Sequence, residues 1–398
     1  MTKFRTRDPA LRQARQGRRG WRDALLALLG AATVGPAHAG AYIPASEAQI
    51  LAEVPVGAHH ADVSVRRLAQ GRLDVALPLA QFYIGQARTT GDLRFLGYAE
   101  AVLGPWVGRE SPDPSALVYR ATIEQSRHDF DKALRTLDRA LRLRRDDSQA
   151  WLTRATVLRV QGRYDEASDA CEKFAAGADE VSALICSQGV LALQGGLVAA
   201  YAALARLPVQ TMAAPERAWR DSELGEMATR LGDDRAAERW FASSLASNRN
   251  DFYVLGAYAD LLLRGHRPAA VLELLHGKDS IEPLLLRIAI AQKQLRNPGL
   301  RDSRARLAAA FAAESARGES IHRREQARYL LQIESKPREA LAAALLNWQV
   351  QREPDDGLVL VAAAQASGSP EVAVPAVKVL HGQGLRDDLI AHALQDTP

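Results

Sequence analysis

Residues 114–147 read PSALVYRATIEQSRHDFDKALRTLDRALRLRRDD, and residues 148–181 read SQAWLTRATVLRVQGRYDEASDACEKFAAGADEV. Laid over each other at a shift of 34, they agree where a helical hairpin must be small or must turn. Ala116 falls on Ala150, Arg120-Ala121-Thr122 on Arg154-Ala155-Thr156, Phe130-Asp131 on Tyr164-Asp165, and Ala133 on Ala167. In each segment a first helix carries a large apolar residue (Leu117, Trp151) and then a small one (Ala121, Ala155). The small residue lets a second helix approach closely. That second helix opens with an aromatic (Phe130, Tyr164) and has its own small residue (Ala133, Ala167). Gly162 stands in the turn, where a left-handed backbone costs little. One such pair cannot bury its own apolar face, so pairs must stack on neighbours.

Working outward, residues 182–280 carry the pattern with less fidelity. Gly195-Gly196 makes one turn, and Gly225, Gly232 and Ala237 restore the small-turn-small series. Gly265 and Ala270 follow one residue early. Residues 281–318 form a longer, more charged variant hairpin joined at Asn297-Pro298-Gly299. Residues 319–383 return to the pattern, with Pro337, Ala340, Gly368 and Ala373 in place. Residues 384–398 hold a closing helix, Leu385–Leu394. Upstream, residues 62–113 are degenerate. Asp62–Gln70 and Asp74–Gln86 are expected to form the first hairpin, Gly91–Leu103 a second partial one, and Gly104-Pro105-Trp106 to end it. About nine hairpins result, with no strand series. At 398 residues and 47% hydrophobic content, against 6% aromatic, the chain suits close-packed helices. Its length exceeds one compact core but not a solenoid.

A period of 34 with these small and aromatic positions resembles the tetratricopeptide repeat, specifically over Pro114–Val181 and loosely over Asp62–His381. The resemblance implies an all-α solenoid coiled as a right-handed superhelix, with the first helix of each pair lining a concave groove that holds an extended peptide or a partner helix. Phe174 stands where the family prefers alanine, and no proline closes either strong unit. In this register the groove-facing candidates are Val118, Thr122, Gln125, Leu152, Thr156 and Arg159. Family members that grip a terminal carboxylate do so with a lysine and asparagines at such places. Val118, Thr122, Leu152 and Thr156 stand there here, so that clamp is absent. The same register puts Cys171 on a second helix and Cys186 on the next first helix. They either pair as a disulfide or fill small core positions as thiols.

The first 39 residues are read as a cleavable signal. Eight basic residues, from Lys3 to Arg22, precede an apolar run, Ala24–Val34. Gly35-Pro36 and the small-x-small site Ala37-His38-Ala39 follow. Cleavage is expected after Ala39, with Ala41 second. The run is too short to span a bilayer. Arg18-Arg19 resembles a twin-arginine signal, but an arginine-rich leader contains such a pair by chance, so ordinary secretion is favoured. Residues 40–61 form a partly ordered arm. Of 51 basic and 47 acidic residues, the leader holds eight and two, leaving 43 against 45, a net charge of −2. The basic balance thus belongs to the leader, and an electrostatic case for nucleic acid disappears.

No constellation points to a reaction or a cofactor. His59-His60 has no acidic or cysteine partner at metal spacing, so no metal site is expected. His266 and His276 belong at the ends of a short helix. Asp146-Asp147, Asp233-Asp234 and Asp355-Asp356 fall at helix starts, where capping explains them. Arg323-Arg324-Glu325 reads as a solvated helix face. The expectation is a non-catalytic periplasmic scaffold that binds a protein or peptide of an envelope or secretion complex, its oligomeric state open. A subunit of envelope polysaccharide synthesis or export is the alternative, and a cytosolic adaptor with an uncleaved tail is the third.

Overall fold

The computed structural model describes residue 67 and residues 69–209, 212–317 and 321–385. The leader, the arm and, Leu385 apart, the closing helix lie outside the described residues. Apart from Ala316 and Arg317, the described residues all belong to one compact unit, Val54–Ser315 with Glu319–Pro398.

The described chain is all-α, a tetratricopeptide-like solenoid of nine consecutive helical pairs. They are α1 (Leu73–Thr90) with α2 (Arg94–Val107), α3 (Pro114–Ser126) with α4 (Phe130–Leu143), α5 (Ser148–Val160) with α6 (Tyr164–Ala175), and α7 (Glu180–Leu191) with α8 (Leu197–Ala205). Next come α9 (Ala214–Arg230) with α10 (Asp234–Ser247), α11 (Phe252–Arg264) with α12 (Pro268–Leu274), and α13 (Glu282–Gln294) with α14 (Leu300–Ala316). Last are α15 (Arg323–Arg328) with α16 (Pro337–Trp348) and α17 (Pro354–Ala366) with α18 (Val374–Gly382). Helix α15 runs on as a π-helical turn, Tyr329–Ile333.

Local chemistry starts these helices where it should. Asp113, Asp147, Asp179 and Asp233 each accept a hydrogen bond from a backbone N–H three residues on, at 2.8–3.0 Å. Prolines open α3, α12, α16 and α17, where a missing N–H leaves no bond unmade. The small and aromatic positions of the strong pair are core: Leu117, Ala121, Phe130, Ala133, Ala150, Ala155 and Ala167 are all buried.

Each of the nine hairpin turns contains one residue with a left-handed backbone. The series runs Gly91, His128, Gly162, Gly195, Gly232, His266, Arg296, Ser335, Gly368, at φ between 53° and 91°. Glycine takes this conformation freely, whereas the four other residues hold it against a steric cost. His266, not Gly265, is the left-handed residue of its turn; Gly265 has φ −77°.

The upstream register differs from the expectation. Leu73–Thr90 pairs with Arg94–Val107 across Gly91-Asp92, and α1 also packs on α3 as a first helix does. The segment read as the second helix of one hairpin is therefore the first helix of the next. Gly104-Pro105-Trp106 does not end α2, which runs through it to Val107. Trp106 is buried and its indole N–H donates to the Ala69 carbonyl at 3.1 Å. Burying that side chain gains roughly 4–5 kcal/mol, more than the ~3 kcal/mol an interior proline costs.

The last two hairpins lie against the turns of hairpins two to four. The Arg352 N–H donates to the Val160 carbonyl at 2.8 Å, and the Tyr164 hydroxyl to the Arg352 carbonyl at 3.0 Å. Gln383 Nε2 donates to both Tyr164 and the Arg352 carbonyl. Gln351 Nε2 meets His128 Nδ1 at 2.7 Å. A side chain on Gly162 would begin 3.0 Å from Arg352 Cβ. The glycine turn thus serves twice, as a bend and as a seat.

Candidate functional site

The first helices α1, α3, α5 and α7 border a cavity of about 500 Å³. Thr122, Gln125, Leu152, Thr156 and Arg159 line it, with Arg88, Tyr119 and Trp219 among the others. Val118 does not. It lies one helical turn below Thr122 and is buried in the core of hairpins two and three. The Thr122 and Thr156 hydroxyls donate back to the Val118 and Leu152 carbonyls at 3.0 Å. They offer methyl groups and lone pairs, but no proton, to anything in the cavity.

Cys171 on α6 and Cys186 on α7 also line the cavity, and they are joined as a disulfide with Cα atoms 5.7 Å apart. The bond ties the third hairpin to the fourth at the cavity wall.

Arg159 leaves α5 and meets Glu223 of α9 at 2.5 Å. The pair passes over Gly189 of α7, where a Cβ would sit 3.1 Å from the guanidinium and 3.2 Å from the carboxylate. Glu223 and its acidic surroundings push the Arg159 guanidinium well above its ordinary value, so the charge is permanent. One turn on, burial and the neighbouring Glu223 raise Glu226 to about 8, and the Tyr253 hydroxyl donates to it at 2.5 Å. Glu226 is therefore mostly protonated at neutral pH. The polysaccharide reading required a carboxyl group of this kind.

A second set of charges lies under hairpins six to nine. Asp260 accepts from Arg287 at 2.6 Å and from Arg328 at 2.8 Å, and despite burial the two cations hold its carboxyl at about 2. Glu325 is buried among Arg324, Arg287, His322 and Arg328, and its carboxyl lies far below the usual range although burial works against this. Arg323-Arg324-Glu325 is therefore no solvated face. The first helices on either side flank it: Arg287 of α13 lies 3.6 Å from Glu325, and Arg324 reaches Asp356 of α17 at 3.6 Å. Asp356 accepts from Asn347 and from the Glu353 N–H, and burial raises it to about 7.

Among the described residues one group could hold a cation. His322 Nδ1 lies 3.5 Å from both Glu282 and Glu314, and one ligand atom from each of the three falls within 4.8 Å of the rest. These residues come from three elements at sequence positions 282, 314 and 322, so no spacing announced them. A protonated His322 between two carboxylates accounts for the same geometry, and its carboxylate neighbours raise its pKa against the effect of burial.

No helix among the described residues is long and apolar enough to cross a membrane. No protein-family model matches the chain, and the comparison with curated proteins finds no match. Among solved structures, the chain is similar to pilF of Pseudomonas aeruginosa at 19% identity, over 51% of this chain and 94% of that one, with a TM-score of 0.36. It is similar to human IFIT1, solved as a dimer with PPP-AAAA, at 12% identity over 72% and 69%, TM-score 0.45. It is also similar to a tetratricopeptide repeat protein from Parabacteroides merdae, at 14% identity over 71% and 98%, TM-score 0.32.

Proposed function

We propose that the chain is a non-catalytic scaffold which holds a peptide or partner helix in the cavity on its first-helix wall. The observation that carries this is the cavity itself: a recess of peptide dimensions, lined by amides, hydroxyls, a leucine and a tryptophan, on a rigid stack of helices. The reading extends to an exported protein serving an envelope or secretion complex. The leader's order of charge, apolar run and small-x-small site supports export, and the Cys171–Cys186 bond suits an oxidising compartment. A photo-crosslinking side chain at Gln125, in the cavity, should yield a discrete adduct in cells, while the same group at Arg139, on the outer face of α4, should not. The absence of any adduct from position 125 would count against groove recognition. Mass spectrometry of the N-terminus tests export: a retained Met1 would favour the cytosolic adaptor.

A second reading has one observation in its favour. Glu226 is held protonated beside Glu223 and could supply a proton to a glycosidic oxygen, as action on envelope polysaccharide requires. Its surroundings explain the same protonation without catalysis. If envelope glycans are neither bound nor cleaved, and Glu226→Gln alters only the pH dependence of stability, this reading fails.

A further inference from the structure

We infer that the cavity selects an internal acidic side chain of an extended peptide, with Arg88 as its counter-ion. This rests on the groove reading of the cavity and adds the chemistry of the ligand.

Charge and unmet hydrogen bonds point the same way. The charged residues among those lining the cavity are Arg88 and Arg159; no aspartate or glutamate among the described residues lines it. Arg159 is neutralised by Glu223 at 2.5 Å. Arg88 makes no hydrogen bond or ion pair among the described residues. Asp251, at the start of α11, attracts it, but Oδ1 of that carboxylate accepts the Tyr253 and Val254 N–H groups as a helix cap. The wall therefore carries one positive charge with an attracting carboxylate nearby but no hydrogen-bonded or ion-paired partner among the described residues. A guanidinium takes a carboxylate through two parallel N–H donors, a geometry that selects planar acids.

The groups around Arg88 suit a peptide more than a small ion. The side chains of Gln81, Gln125 and Tyr119 line the same cavity and make no hydrogen bond among the described residues. Each can both donate and accept, as main-chain amides in an extended strand require. Leu152 and Trp219 supply apolar contact beside them. Nothing here forms the lysine and asparagine fork that a chain terminus needs, since the matching positions hold threonine, leucine and a buried valine. The acid is therefore a side chain, and an amidated peptide binds as well as a free one.

The test uses the full chain and pools of labelled decapeptides, all amidated at the C-terminus. One central position is fixed as Asp or Glu, as Asn or Gln, or as Lys, with the rest randomised. Fluorescence anisotropy should show the acidic pools binding at least tenfold tighter than the amide pools, with Lys weakest. Arg88→Gln should remove that preference and Arg88→Glu should reverse it. Arg88 is exposed, so both variants should keep the circular dichroism and melting temperature of the parent. Binding with no acid preference, or a preference that survives Arg88→Glu, overturns the inference. Arg88-dependent binding of inorganic pyrophosphate, with no acidic pool bound, also overturns it. If pools bind without acid preference and Thr156→Trp abolishes that binding, the groove reading stands without this inference. If no pool binds and position 125 gives no adduct, both fall.

Discussion

Hairpins two and three and hairpins seven and eight have the same turn geometry and each has an apolar core, to which the second region adds a buried ionic network. In α3–α6 the interior is Leu117, Phe130, Leu137, Leu158 and Phe174, with alanines where helices touch. Their buried carboxylate, Glu124, accepts from Thr136 at 2.7 Å and Arg120 at 2.9 Å. Across α13–α16 the turns are made by Arg296 and Ser335, residues that hold φ above 50° against strain, and the first helix of hairpin eight widens into a π turn. Beneath them Arg287, Arg324, Glu325 and Arg328 form a buried ionic network with Asp260 of hairpin six and Asp356 of hairpin nine. One region obeys the repeat because apolar burial demands it. The other departs because charged side chains on the stacked first helices of hairpins six to nine pair with one another there.

Removing one charge should separate the two regions most sharply. Glu325→Ala leaves Arg324 and Arg287 buried beside a vacated anion and should cost about 3–5 kcal/mol by denaturant unfolding. A loss below about 1 kcal/mol would show that the network is decorative. Next, Cys171→Ala with Cys186→Ala opens a cross-link of sequence separation 15 and should cost about 3 kcal/mol. A reductant should reproduce that loss in the parent and add nothing to the variant.

A third substitution probes the spacing of the stack. Gly225 of α9 faces the ring of Phe241, and an added Cβ would fall inside the van der Waals envelope of that ring. Gly225→Ala should therefore cost about 2–3 kcal/mol, although alanine is the better helix former. A stabilised variant would mean that α9 and α10 part to admit a methyl group at little cost.

The smallest effect concerns the seat between hairpins two and eight. Burial lowers His128 to about 4, with His322 and Arg324 acting in the same sense and Glu325 and Glu314 against. The neutral ring is favoured in the folded state. Its contribution is complete above the unfolded value of 6.5 and is lost as pH falls from there toward 4. Between pH 7 and pH 5 this should remove roughly 2 kcal/mol. His128→Asn keeps a residue that tolerates the left-handed turn, and its unfolding free energy should lack that portion of the slope.

Much of this was legible in the chain. Ala121, Ala133, Gly225 and Ala237 mark close approaches, and a period of 34 set the helical pairs from α3 onward. Thr122, Gln125, Leu152, Thr156 and Arg159 line one cavity, because a helix of known phase points its residues in known directions. Val118 does not line it, because it lies on the flank of that stripe nearest the core. The pairing of Leu73–Thr90 with Arg94–Val107 was not legible because Gly71 and Gly91 both look like turns, and the preference of Gly-Pro for ending helices is overridden by Trp106. The ionic network was not legible. Members such as Asp260, Arg287 and Arg328 are separated by 27 to 68 residues and meet because the first helices of hairpins six, seven and eight stack; the register brings those helices together but does not say which charges pair.

Hydrogen exchange of the full chain, followed helix by helix at pH 7 and at pH 3 with intrinsic rates corrected, tests most directly that an ionic network adds to the stability of hairpins seven and eight and not to that of hairpins two and three. Asp260 and Glu325, held low in the folded state, confer stability above the ordinary carboxylate range that drains away as pH falls below it. Protection in α13 and α15 should therefore fall at pH 3, offset in part by Asp356 of α17, whose raised carboxyl takes up its proton more readily in the folded state, while α3–α6 keep most of theirs. Loss of protection in all nine hairpins together, or first in α3–α6, would contradict the account.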